Sequence, residues 1–329
     1  MATSVSSAFE EFNKNIVNLN TDRTRLARSS RDWLIEQLMK LPDNADYFPK
    51  LYDGKHIKYG SFARNTKIQP LIDIDLILTF SADGATYTTY TYGQYYKLNV
   101  PSSNINLWRL TNDDGTLNSI KLVNKIVHSL EGISQYSKAS IHRRQEAATL
   151  KLNSYEWNFD IVPAFYTDTG NYLIPDGSGD WKATDPRIDQ QRTSDINKKH
   201  NGNILQIIRT LKYWQKRPIM PSMSSYLFEN LILNYFSTRI EITEYIDFSL
   251  RDFWFYLNTA IFYPVNDPKG FSADLNNLST EDQVKISAKA GEAYTKALEA
   301  ISFETEEYNI EKSIKKWVEI FGEDFPKYG

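Results

Sequence analysis

The chain has 329 residues, enough for one large domain or two lobes with separate cores, and an ordinary globular composition of 24% charged and 41% hydrophobic residues. It contains no cysteine, which excludes disulfides and Cys-ligated zinc modules and fits a reducing, cytoplasmic setting. The net charge of −3 argues against a dedicated binder of long nucleic acid.

No apolar run reaches the roughly 18 residues of a membrane-spanning helix, so no membrane partner is expected. The N-terminus MATSVSSAFEEFNKN lacks the cationic and apolar regions of a signal peptide. Charge is unevenly spread: from Arg187 to Arg217 eight Lys/Arg stand against two Asp, a net of +6. Such a segment suits small anions.

Residues 4–40 read as helix in two pieces broken near Asn20–Asp22, with Asp22 as N-cap of the second. A short strand over 55–59, a turn or short helix over 61–66 and a strand over 71–80 follow. Residues 81–116, with Thr and Tyr alternating from Thr86 to Tyr92, predict a hairpin or a mobile surface insertion. A helix over 116–131 and strands over 146–152 and 156–166 come next. Beyond Pro186 the segments 195–217, 224–237, 246–262, 280–300 and 304–321 all carry helical periodicity. An α+β region, 1–185, is thus followed by an all-α region, 186–329.

One stretch breaks the packing logic. In the strand over 71–80, Ile72, Ile74, Leu76 and Leu78 alternate with Asp73 and Asp75, so two carboxylates share one face. Buried, they repel each other and cost several kcal/mol unless a positive charge joins them, and hard cations such as Mg²⁺ prefer carboxylate oxygens. In YEWNFDIVPAF, Trp157, Phe159 and Ile161 alternate with Asn158 and Asp160, so Asp160 lies on the polar face of a second strand. If the two strands are neighbours, three carboxylates converge as in a two-metal phosphoryl or nucleotidyl transfer site. Gly60-Ser61, twelve residues before Asp73, adds a backbone able to approach a phosphate and a hydroxyl donor.

GSFARNTKIQPLIDIDL with the later FDIVPAF resembles the polymerase-β-like nucleotidyltransferase superfamily, and most closely the bacterial cGAS/DncV-like nucleotidyltransferases of antiphage CBASS systems. WKATDPR, NGNILQIIRTLKYWQKR and SSYLFENLI extend the likeness over most of residues 55–235. The resemblance implies a mixed-sheet core with flanking helices, a C-terminal helical lobe and an active site in the cleft between them. Asp73, Asp75 and Asp160 would hold Mg²⁺, with Mn²⁺ as an alternative. Gly60 and Ser61 would contact the triphosphate, with Arg64 and Thr66 beside them. Lys212 would reach the donor phosphates, Ser225 would hydrogen-bond them, and Tyr226 would stack on the base. The competing readings are structural: Lys212 as a solvated helix lysine, Tyr226 as a packing residue, Arg64 and Thr66 as fixtures of the turn.

The activity implied is synthesis of a cyclic di- or trinucleotide messenger from ribonucleoside triphosphates for antiviral signalling. The alternatives are a template-independent transferase acting on RNA or making linear oligonucleotides, and transfer of a nucleotide to a protein or small molecule. Without cysteine, the zinc-bearing insertion that serves long DNA in the animal enzyme cannot be built, so activation by DNA is not expected, and the protein is expected to act as a monomer. Pro326 stops the last helix, which predicts an exposed, mobile tail at 327–329. The family also allows conjugation by an E1/E2-like partner through Gly329.

Overall fold

The computed structural model describes residues 2–90 and 95–329; the end of the Thr/Tyr alternation, Thr91 and Tyr92, lies outside the described residues. In chain order the first elements are α1 (Val5–Phe12), a π-helical stretch at Asn13–Val17, α2 (Thr21–Met39), α3 (Leu41–Asn44), β1 (Ile57–Tyr59), α4 (Gly60–Ala63) and β2 (Asp73–Phe80). Strands β3 (Thr86–Tyr90) and β4 (Tyr95–Asn99), helices α5 (Ile105–Trp108) and α6 (Ser119–Glu131), and strands β5 (Ser140–Arg144) and β6 (Ala147–Lys151) follow. Then come β7 (Asn158–Tyr166), β8 (Tyr172–Pro175), β9 (Trp181–Thr184), α7 (Pro186–Lys199) and α8 (Ile204–Gln215). The remaining helices are α9 (Ser225–Ser237), α10 (Ile246–Ala260), α11 (Thr280–Thr305) and α12 (Ile310–Phe321). None of the described helices is long and apolar enough to cross a membrane.

The chain divides into a sheet unit, Asp22–Arg64 with Leu71–Gln190, and a helical unit, Met1–Thr21 with Asn65–Pro70 and Gln191–Gly329. The sheet unit is one mixed sheet in the order β1-β2-β7-β8-β9-β4-β3, with β6 also paired to β7 and β5 to β6. Strands β2 and β7 are parallel and in register over eight residue pairs; every other pairing is antiparallel. The alternation of β2 works as its sequence dictates. Ile74, Leu76 and Leu78 are buried on one face, while on the other Asp73 and Asp75 give way to Ile77, which packs with Val162, Ala164, Ala147 and Tyr172. Ile72 stays exposed because the strand begins one residue later.

The helical unit has its own core, in which Trp214, Phe228, Phe253, Trp254, Trp317 and Phe321 are buried among α8, α9, α10 and α12. Along α11, Ala290, Ala293, Ala297 and Ala300 recur every three or four residues and form a narrow buried stripe. α1 belongs here, not with the sheet as a boundary at 185/186 supposes. Its Phe9 packs edge-on against Trp317 at 5.0 Å between ring centroids and against Phe325 at 5.0 Å, and Phe12 meets Phe321 at 5.1 Å.

Several boundaries depart from the periodicity. Asp22 lies in the first turn of α2 and is not its cap. The helix predicted over 195–217 is two helices, separated where Asn201 and Gly202 take φ of 54° and 87°. The first of them starts at Pro186, where Asp185 accepts the Arg187 backbone N–H at 3.1 Å. The final tail is exposed but not loose. The Ala2 N–H donates to the Lys327 carbonyl at 3.1 Å and the Gly329 N–H to the Ala2 carbonyl at 3.4 Å, which bridges Ala2 and Tyr328 in parallel.

Lys212 is neither a solvated lysine nor one presented to phosphates. It is 4% exposed and its ammonium pairs with Glu229, itself 2% exposed. It also donates to the Thr66 carbonyl at 3.3 Å, while the Thr66 hydroxyl donates to Glu229 at 2.9 Å. An ammonium drawn into the interior needs a carboxylate beside it, so Glu229 decides where Lys212 points. The same three residues anchor the strap Asn65–Pro70. Arg209 holds it further through the Asn65 carbonyl at 2.7 Å, and the Gln69 N–H donates to the Val17 carbonyl at 3.1 Å.

Lys212→Ala strands Glu229 as a lone buried charge and is expected to destabilise the helical unit by about 3–5 kcal/mol. Lys212→Met combined with Glu229→Leu, which removes both charges, recovers most of that loss. Denaturant melts of the two variants check this; a loss below about 1 kcal/mol in the single variant refutes the buried-pair description.

Candidate active site

The register of four strands builds the site. Tyr59 of β1 pairs with Asp75 of β2, Asp75 with Asp160 of β7, and Asp160 with Thr149 of β6. Partners in register point to the same face, so these side chains form one row. The next row is Asp73 with Asn158 and Lys151. The juxtaposition of the three aspartates thus follows from parallel pairing of β2 with β7.

A cavity of 440 Å³ opens over these rows, lined by Tyr59, Asp73, Asp75, Glu146, Asn158 and Asp160 among others, with Arg144 the one cation on its described lining. The Thr149 hydroxyl donates to Asp160 Oδ1 at 2.6 Å, which fixes that carboxylate and leaves Oδ2 for a ligand. Glu146 is paired with Lys182. The dense surroundings of the half-buried Tyr59, together with the charges of Asp75, Asp160, Glu146 and Asp73, push its phenol well above the usual range and keep it neutral.

Gly60 is required by contact. It sits at φ +77°, and a Cβ built on it would lie 1.8 Å from Asp75 Oδ2. The backbone of the Gly-Ser turn therefore presses directly on the carboxylate. Ser61 is half-buried in α4, and the Arg64 N–H closes the turn onto the Gly60 carbonyl at 3.2 Å.

The donors present suit a hard cation. The groups of the two aspartate rows that could ligate do so through oxygen, Lys151 being a donor only, and Asn158 Oδ1 is buried without a hydrogen-bond partner. Among the described residues, no three His, Cys, Asp or Glu side chains are gathered closely enough to cage a cation unaided. That matches the habit of Mg²⁺, which takes one or two carboxylates and completes its shell with water and substrate phosphate oxygens.

The other expected residues lie in the helical unit. Thr66 is fully buried and, with Lys212, committed to Glu229, so neither side chain is offered to a ligand. Ser225 is the exposed first residue of α9. Tyr226 donates its hydroxyl to Asp267 at 3.2 Å and accepts from Lys269 at 2.7 Å, whose ammonium also lies 4.1 Å from the ring centroid. One face of Tyr226 is thus already covered by a cation. Reasoning from sequence passed over Tyr59 and Thr149, which only the strand register reveals. Asn158 stood in plain view, two residues before Asp160 on the same face.

No family model matches the chain. A probable cyclic nucleotide synthase of Bacillus cereus is 46% identical over 334 residues, covering 100% of this chain and 99% of that protein. A cyclic AMP-AMP-AMP synthase of an Acinetobacter species is 24% identical over 277 residues, 82% of this chain and 71% of that protein. Among solved structures, the Vibrio cholerae DncV cyclic AMP-GMP synthase, in complex with a linear intermediate, matches with a TM-score of 0.68 and 12% identity, covering 99% of this chain and 98% of that one. The structural match carries the polymerase-β-like nucleotidyltransferase fold. With a relative 46% identical along its whole length, the chain belongs to the bacterial cGAS/DncV-like nucleotidyltransferases, the cyclic nucleotide synthases.

Proposed function

We propose that the protein joins ribonucleoside triphosphates into a cyclic oligonucleotide messenger, in the antiphage signalling role of its family. The observation that carries the reading is the row of Asp75 and Asp160 on parallel strands beside Asp73, pressed upon by the Gly60 backbone. In each transfer a hydroxyl oxygen of one nucleotide attacks the α-phosphorus of another as its proton is lost and pyrophosphate departs; a last, intramolecular transfer closes the ring.

Asp73, Asp75 and Asp160 line the cavity and would bind the divalent cation, Mg²⁺ or Mn²⁺, which when present neutralises phosphate charge and lowers the pKa of the attacking hydroxyl. Thr149 keeps Asp160 turned into the site. Gly60 offers the triphosphate a backbone unobstructed by a Cβ, with the Ser61 hydroxyl as a donor beside it. Ser225 is a donor to phosphate, and the ring of Tyr226 is a platform for a base. Lys212 acts at a remove from the nucleotide, by holding the strap that joins the Gly-Ser turn to the aspartate strand along the chain.

Incubation with all four nucleoside triphosphates and Mg²⁺ or Mn²⁺, followed by mass spectrometry of phosphatase-resistant products, tests the reading. Cyclic products support it; linear oligomers alone, or no metal-dependent turnover, overturn it. Asp75→Asn keeps the shape but removes the charge and is expected to abolish product, as is Asp73→Asn; full activity in the double variant removes the assignment.

Gly60→Ala forces a methyl group against Asp75 and strains a left-handed backbone by about 1–2 kcal/mol. The displaced carboxylate is expected to lower kcat by roughly a hundredfold, while the thermal midpoint shifts only modestly. Steady-state kinetics at wild-type rates in this variant would show that Asp75 needs no such close backing.

A further inference from the structure

The helical unit contains a second, larger cavity of 810 Å³, formed by α1, the start of α10 and the end of α11. That is the size of a site that encloses a small organic molecule. Its walls include Val5 and Phe9, both buried, with Ile246 and Phe248. Four carboxyl groups line it, Glu10, Glu244, Asp247 and Glu304, against the single ammonium of Lys14.

Asp247 is the telling residue. It is only 6% exposed, yet it faces a cavity and not a cationic partner. Among the described residues neither Asp247 nor Glu304 forms an ion pair, and Arg251, whose charge acts on Asp247, is paired with Asp252 at 2.7 Å. Backbone N–H groups at the start of α10 are the hydrogen-bond donors to Asp247. Burial raises its carboxyl above the ordinary range, and burial with the charge of Asp247 does the same to Glu304. A buried acid whose charge raises the proton affinity of a second acid in the same cavity is an arrangement that a bound cation relieves. A bare metal ion is the wrong occupant, since the walls are largely apolar.

We propose that this cavity binds an organic cation, an amine on an apolar stem, with its ammonium against Asp247 and Glu304 and its stem along Phe9, Ile246 and Phe248. The exposed Glu10 and Glu244 then receive a second amino group where the ligand carries one. This site is built entirely by the helical unit and stands whether or not the nucleotide chemistry is as described above.

Calorimetric titration of the full chain with cadaverine, at fixed ionic strength, is the test, with pentanediol as the uncharged counterpart of the same length. Saturable binding of cadaverine and none of pentanediol is expected. Asp247→Asn, which keeps an acceptor for the helix N–H groups, weakens that binding by about tenfold or more, the loss of one charge-assisted contact. Glu304→Gln, on a different helix, weakens it in the same direction and serves should the first variant unfold. No saturable binding of cadaverine by the native chain, equal binding of the diol, or undiminished affinity in a folded variant each overturns the proposal.

Discussion

Negative charge gathered in one row across a sheet is the constraint around which the sheet unit is built. Asp75 and Asp160 stand side by side on parallel strands, Asp73 is one row away, and Glu146 lines the same cavity. Like charges so placed repel, and the sheet tolerates them because the apolar halves of the same strands fix the register. Ile77, Val162 and Ala164 bury the face beyond the acids, and Ile74, Leu76, Phe159 and Ile161 bury the opposite one. A slip of one residue would exchange carboxylates for isoleucines on both faces at once. The binding energy stored in the register thus holds charges where they would not otherwise stay, which is a familiar form of preorganisation.

A second buried charge arrangement governs the helical unit. Lys212 and Glu229 neutralise each other in the interior and between them hold Thr66, so a six-residue strap of the chain is fixed by side chains far away in sequence. The strap leads directly into β2. Its geometry is therefore set by residues of the helical unit, while its ends continue into the Gly-Ser turn and the aspartate strand. Buried ion pairs contribute little net stability against apolar replacements, and their recurring use is to specify one arrangement among several.

The gathering of acids in the sheet unit was legible because its signals are local. The i, i+2 spacing of Asp73 and Asp75, the alternation around Asp160 and the Gly60-Ser61 pair are each contained in a few residues, and the long helices announce themselves by periodicity. Strands β5, β8 and β9 were not legible. β5 is almost wholly exposed and shows no alternation, and β8 and β9 have four residues each. Nor did spacing reveal that α1 packs with the last helix, which depends on aromatic contacts some three hundred residues apart along the chain. The pairing of Lys212 did leave a trace. Glu229 is the sole charged residue in the otherwise uncharged α9, and an acid in such a helix asks for a cation.

The aromatic core of the helical unit has an optical consequence. Trp214 lies 5.6 Å from Trp254, and Trp254 lies 6.4 Å from Trp317, so three indoles on α8, α10 and α12 form a chain of close neighbours. Chromophores at that separation exchange excitation, and their transitions split into coupled pairs of opposite rotational sign. Trp157 and Trp181, buried in the sheet unit, are outside this chain. The helical unit therefore carries its own spectroscopic label, a coupled ultraviolet signal that vanishes when its helices separate and is blind to events confined to the sheet.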